Sequence, residues 1–294
     1  MTSLSQTIEN AYKGSWNNLV NQIVHPFDGG ISAFYILIFL SIAIWIIEIC
    51  LPWRKNQSIL RKDFLIDAFY MFFNYFLFGL IIFAALCNAT SALFSELMGS
   101  IGFPRRYLFD FFKDFPVWLQ VISFFLMRDF VQWCIHNLLH RVTFLWKFHK
   151  LHHSVREMGF AAHLRYHFME NVVYQLIGFV VISYILHFKL EHGFYVYMIG
   201  TLIGHLNHAN LGWDYGPLKY ILNNPKMHIW HHVKELPKEH LKGVNFGISL
   251  SCWDYIFKTN YIPTDGRDIE LGFEGVENYP SNFFEQQIEP FKNK

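Results

Sequence analysis

Hydrophobic positions in this chain gather into long unbroken runs rather than alternating with polar ones. Ile31 to Leu51 is a 21-residue apolar run whose only charge, Glu48, lies near its end. At 1.5 Å per residue it is roughly 31 Å long, about one bilayer hydrocarbon core. Phe64 to Leu86 forms a second run with Asp67 near its start, and Pro116 to Met127 a shorter third that reaches Arg128 and Asp129. Val172–His187 and Phe194–Leu206 follow, joined by a turn at Phe188–Gly193. The third and fifth runs are short, which fits partial insertion or burial within the protein. Ahead of them all, Leu4, Ile8, Tyr12, Trp16, Val20 and Val24 recur every four residues, the pattern of an amphipathic helix suited to a membrane surface. The pattern predicts an all-α, multi-pass membrane protein with four to five apolar helices.

Composition agrees with that picture. Of 294 residues, 53% are hydrophobic, 19% aromatic and only 16% charged, against about 25% charged in soluble domains. The net charge of +1 gives no reason to expect nucleic acid as a partner. Cys50, Cys87, Cys134 and Cys252 are far apart and form no CxxC, so neither zinc–thiolate nor disulfide redox chemistry is indicated. Met1 to Asn21 is polar and lacks the apolar core of a secretory signal. Arg54, Lys55, Arg61 and Lys62 fill the loop between the first two runs, which the positive-inside rule assigns to the cytoplasm. Counting spans onward brings the chain's histidine clusters to that same face. A sequon at Asn88-Ala89-Thr90 falls on the outer side.

Those histidines carry the chemistry. His136 and His140 form HxxxH; His149, His152 and His153 form HxxHH; His228, His231 and His232 repeat HxxHH about eighty residues later; and His167 and His208 lie between. Helical positions i, i+3 and i+4 share one face, so each cluster can aim several imidazoles at one point. Neutral imidazole suits iron, zinc, copper and nickel. Ten ligands exceed what one ion uses and fit a two-metal site.

The residues that surround these histidines resemble the fatty acid hydroxylase/sterol desaturase superfamily. The matching stretches are Asp129 to His136, His140-Arg141, Leu145-Trp146, His149 to Ser154, Leu164 to His167 with Glu170, His208-Ala209-Asn210, Pro225 to His232, Asn245-Phe246-Gly247 and Trp253 to Phe257. Together they cover about Pro116 to Pro263. The resemblance implies a cytoplasmic helical cap with a di-iron centre that uses molecular oxygen and external electrons to hydroxylate or desaturate a lipid. The implied ligands are His136, His140, His149, His152, His153, His167, His208, His228, His231 and His232. Asn137 departs from the family pattern, where many relatives place an arginine.

Iron is the metal this chemistry asks for, because breaking an unactivated C–H bond needs a redox centre and zinc has no redox chemistry; imidazole alone would accept zinc as a substitute. No GxGxxG, iron–sulfur pattern or haem-carrier domain is visible, so electrons are expected from a separate donor protein or a reduced pterin. Asp129, Arg165, Glu170 and Asn210 are candidates for orienting the ligands, with ordinary capping or surface roles as the alternative. His163 and His205 read as either spare ligands or polar packing, and His25, His187, His192 and His240 as unrelated to the site. The expected organisation is an amphipathic segment (1–30), a transmembrane hairpin and connector (31–115), a histidine-rich catalytic domain with further membrane helices (116–263) and a polar tail (264–294). The substrate arrives from the bilayer, be it a sterol, fatty acyl chain or ether lipid. The membrane is that of the endoplasmic reticulum or a bacterial inner membrane. Two competing classes are a zinc-dependent membrane hydrolase, disfavoured because no HExxH base is present, and a metal-binding or transport protein, disfavoured because transport ligands sit within the spans.

Overall fold

The computed structural model describes residues 4–28, 31–78, 97–102, 114–179 and 190–292. Among these the chain is helical, without a strand; the β-type pairings are two isolated bridges, Leu222 with Leu250 and Val233 with Leu271. The principal helices are α1 (Leu4–Val24), α2 (Ala33–Cys50), α3 (Phe64–Phe72, running on as a π turn through Leu77), α4 (Val117–Arg141), α5 (Thr143–His149), α6 (Phe168–Phe179), α7 (Leu190–His208), α8 (Pro225–His231), α9 (Cys252–Ile256) and α10 (Phe283–Ile288).

Of the four or five apolar helices expected, α2 is the one, among the described residues, long and apolar enough to cross a membrane; the helix over Phe64–Leu77 is apolar but shorter. The far end of the second run, the sequon at Asn88 and Cys87 lie outside the described residues, as does the end of the fourth run. The fifth run sits in α7, which begins at Leu190, inside the stretch read as a turn. The outward faces of the helices are apolar: Phe39, Ile42 and Ile46 on α2, Leu65 and Phe72 on α3, and Val117, Trp118 and Ile122 on α4 are all exposed. Water alone makes such a surface costly.

Inside, α7 packs against α2, α4, α8 and a 3-10 turn at Phe160–Leu164. Two apolar clusters grip the histidine segments. Val155, Met158 and Ala162 meet Ile229, Trp230 and Leu271, and Phe160 and Ala161 meet Ile44, Ala209 and Leu211. Buried ion pairs tie the same region to α3: Arg165 Nη1 reaches Asp67 Oδ1 at 2.8 Å and Asp63 Oδ2 at 3.2 Å, and Arg61 also pairs with Asp67. The tail returns to the body, where Phe283 lies edge-on to Phe69 with centroids 4.9 Å apart.

Candidate metal centre

Local sequence explains how each histidine segment is held. Asn224 caps α8 by accepting a bond from Met227 N at 2.9 Å, and Pro225 occupies the first turn, where no backbone donor is needed. That fixes His228 and His231 on α8, with His232 at its end. The first HxxHH begins as the last residue of α5 and ends in a 3-10 turn, His152–Ser154, anchored by buried Phe148 and Leu151. His136 and His140 lie one turn apart near the end of α4, and His208 closes α7.

Nine of the ten sequence-derived histidines converge in two groups. His136, His140, His149, His153 and His231 form one; His152, His208, His228 and His232 form the other. In each, one ring nitrogen per residue lies within 4.8 Å of all the rest. Each HxxHH aims two of its imidazoles at one group, as the spacing allowed, and the third at the other. The i and i+4 imidazoles go together and the i+3 imidazole goes to the other side. At 3.6 residues per turn, i+3 and i+4 point about 100° apart, so one helical turn faces two centres.

In the second group Nε2 of His208 lies 3.3 Å from that of His152 and 2.9 Å from that of His228, and His232 Nε2 is 3.2 Å from His228 Nε2. In the first, His136 and His149 bring their Nε2 atoms to 3.2 Å, while Nε2 of His140, His153 and His231 is buried without a hydrogen-bond partner. Backbone carbonyls fix the tautomers. His136 Nδ1 donates to Phe246 O (2.8 Å), His231 Nδ1 to Val244 O (2.7 Å) and His208 Nδ1 to Gly204 O (2.8 Å). Each of those rings therefore presents an unprotonated Nε2 to its group. Burial pushes His149, His152, His153, His228, His231 and His232 well below the usual imidazole range, and the neighbouring rings push in the same direction. The rings are thus neutral imidazoles with converging lone pairs. A metal at about 2.0–2.1 Å from nitrogen, with ligand angles between 90° and 109°, needs N···N separations of about 2.9–3.4 Å. The residues fit a metal at both groups.

His167 belongs to neither group. Its Nε2 donates to Gln287 O at 2.9 Å and its Nδ1 accepts from Met169 N at 3.1 Å, so both ring nitrogens are used in holding the tail. His163 and His205 pair with one another, Nδ1 to Nδ1 at 2.8 Å, and His205 Nε2 meets Ser41 Oγ at 3.2 Å. Of the four polar candidates, Glu170 alone touches a clustered histidine, its Oε1 lying 3.0 Å from His149 Nδ1. Arg165 binds the α3 aspartates. Asn210 brackets Arg54 just after His208, accepting from its N at 2.9 Å and donating to its O at 3.2 Å. Asn137 is buried with its Nδ2 unpartnered.

Asp129 does not reach His136. It accepts bonds from Ser249 N, Leu250 N and Trp253 Nε1 at 3.0–3.2 Å. Asp254, within the Trp253 to Phe257 stretch, does the matching work on the same loop. It accepts from Phe246 N (2.9 Å), Gly247 N (2.7 Å), Trp133 Nε1 (3.0 Å) and Thr259 Oγ1 (2.6 Å). Between the two carbonyl acceptors sits Asn245, at a left-handed φ of 53° that Asn tolerates better than most side chains. Its amide donates to Met227 O and Tyr261 O. The loop that orients His136 and His231 is thus pinned by two buried aspartates and one asparagine. Sequence offered one signal for it, the Asn-Phe-Gly and Trp-Asp pairs downstream of the last HxxHH.

Residues 121–259 match the family model described as Fatty acid hydroxylase. The ornithine lipid hydroxylase OlsE of Rhizobium tropici is 30% identical over 211 residues, 71% of this chain and 62% of that protein. Alkylglycerol monooxygenases are more distant: the Xenopus tropicalis protein is 27% identical over 147 residues (47% of this chain, 30% of that protein), and the Homo sapiens protein 28% over 138 residues (47% and 29%). The chain spans less than two thirds of the length of each of these relatives. No solved structure matches it. The stretch that carries the two histidine groups, residues 121–259, is thus a fatty acid hydroxylase domain.

Proposed function

We propose that this protein is a membrane-bound, oxygen-dependent lipid hydroxylase whose two histidine groups hold two iron ions. The observation that carries the reading is the convergence of nine imidazoles on two points, eight of them buried and His140 partly so. Burying polar nitrogens in that number without partners is costly unless a cation takes their lone pairs. His136, His140, His149, His153 and His231 hold one ion, and His152, His208, His228 and His232 the other. Bound iron supplies the redox chemistry that activates oxygen against a C–H bond, which side chains alone do not provide. The chain's own part is to orient the ligands through Phe246, Val244, Gly204 and Glu170, and to keep the centre dry. Zinc would fill the same imidazoles but leave the protein without redox chemistry.

The names of the relatives, a lipid hydroxylase and monooxygenases, favour hydroxylation over desaturation. The apolar exposed faces of α2, α3 and α4 support a multi-pass membrane setting, with the histidine domain of residues 116–263 on the cytoplasmic side beside Arg54, Arg61 and Lys62. Electrons come from a separate donor. The test is lipid mass spectrometry of cells expressing the protein under heavy-oxygen gas, compared with His231→Ala. A lipid gaining one heavy oxygen only with the intact protein supports hydroxylation. A product lighter by two hydrogens and unlabelled would make it a desaturase, and identical lipids in both would contradict the proposal.

A further inference from the structure

A cavity of about 110 Å³ adjoins the second histidine group. Two residues of its lining touch that group: the His163 ring lies 5.2 Å from His208, and the Tyr166 ring 5.2 Å from His152. At the α4 side stands Arg128. Its guanidinium lies over Tyr197, with Cζ 6.0 Å from the ring centroid, and against Gly200 of α7, where a Cβ would sit 3.2 Å from Nη1.

Arg128 is the exception among the sheltered guanidiniums. Arg61 and Arg165 pair with aspartates, and Arg54 donates to Gly266 O and Ile269 O. Arg128 has, among the described residues, no hydrogen bond and no carboxylate within ion-pair distance. Its neighbour Asp129 is turned away and fully engaged by the 249–253 loop. No acidic residue lines the cavity, and the Tyr166 and Tyr174 side chains line it with no hydrogen bond from either hydroxyl among the described residues. A cation withdrawn from water without a counter-charge is costly, and an anionic ligand removes that cost. The position selects the source. Arg128 follows directly on the exposed apolar face of α4, Val117 to Met127, where a lipid embedded beside the helix would present its polar end.

We propose that the Arg128 cavity seats the anionic group, a carboxylate or phosphate, of the lipid whose carbon is oxidised at the histidine centre. This deepens the hydroxylase reading and rests on it for the identity of the ligand as substrate. The Tyr166 and Tyr174 side chains flank the seat, and His163 stands beside it at the edge of the second group.

The experiment is calorimetric titration of the full-length, iron-loaded protein in non-ionic detergent with dodecanoate, dodecyl phosphate and uncharged dodecanol. The wild type is expected to bind one of the anions at least about tenfold more tightly than dodecanol. Arg128→Gln loses that preference while its metal content and dodecanol affinity stay unchanged, and Arg128→Lys keeps part of it. A preference that survives Arg128→Gln, or is missing from the wild type, overturns the proposal. So does inorganic phosphate displacing dodecyl phosphate at equal concentration, since the site would then serve a free anion. The titration reads binding rather than turnover. An anion preference without labelled product would therefore keep the cavity assignment and sink the hydroxylase reading, and labelled product without the preference would do the reverse.

Discussion

Glu170 Oε1 lies 3.0 Å from His149 Nδ1, and both side chains are wholly buried. The contact leaves Nε2 of His149 facing His136 in the first histidine group. A carboxylate behind a ligating imidazole fixes its orientation and raises its basicity. Glu170→Gln is expected to weaken metal binding at that group about 10–100-fold, read by competition with a chelator. An unchanged affinity would make Glu170 a packing residue.

His167 separates the resemblance from the geometry. Its ring is spent on Gln287 O and Met169 N, so His167→Ala should retain the full metal content. It should lose about 0.5–1.5 kcal/mol of stability through the lost bond to the tail. Elemental analysis together with a denaturation midpoint checks both halves. A drop in bound metal would return His167 to the ligand set.

Gly204 sits where any Cβ would overlap the His163 ring, one turn before His208 in α7. Gly204→Ala should destabilise the protein by about 1–3 kcal/mol through overpacking. Combining it with His163→Ala should recover much of that loss, because the two changes share one contact. Simple additivity in the double variant would refute the steric account.

The metal-free protein should weaken in acid. His149, His152, His153, His228, His231 and His232 are held well below the usual imidazole value by burial. Unfolded histidines take up protons near pH 6.5. Below that pH the unfolded chain therefore binds more protons than the folded one, and each such histidine costs about 1.4 kcal/mol per pH unit. Denaturation midpoints of the metal-free protein should be flat from pH 8 to 7 and fall steeply below about 6. A flat profile down to pH 5 would show that these imidazoles are not held neutral.

Much of the centre was legible because HxxHH and HxxxH are short-range patterns read through helix geometry alone. The allotment of histidines to the two groups was not. Whether His152 joins His149 or crosses to His208 depends on where α7 and α8 dock, a contact spanning 56 residues. His167 stands outside both groups for a reason equally remote in sequence: its partner Gln287 lies 120 residues away in the tail. Asp129 looked like a ligand's partner from its place two turns below His136, yet it braces the loop after α8. The helical class followed from the apolar runs, but α2 is the run whose length the described residues bear out as enough for a membrane.

The most direct test of the account is a metal count. The full-length protein, reconstituted with ferrous iron under anaerobic conditions and desalted, is compared with His231→Ala and His228→Ala by elemental analysis. Two groups of five and four ligands predict two ions per chain in the wild type, and a loss of about one ion in each variant. One ion or none in the wild type, or two retained in both variants, would contradict it.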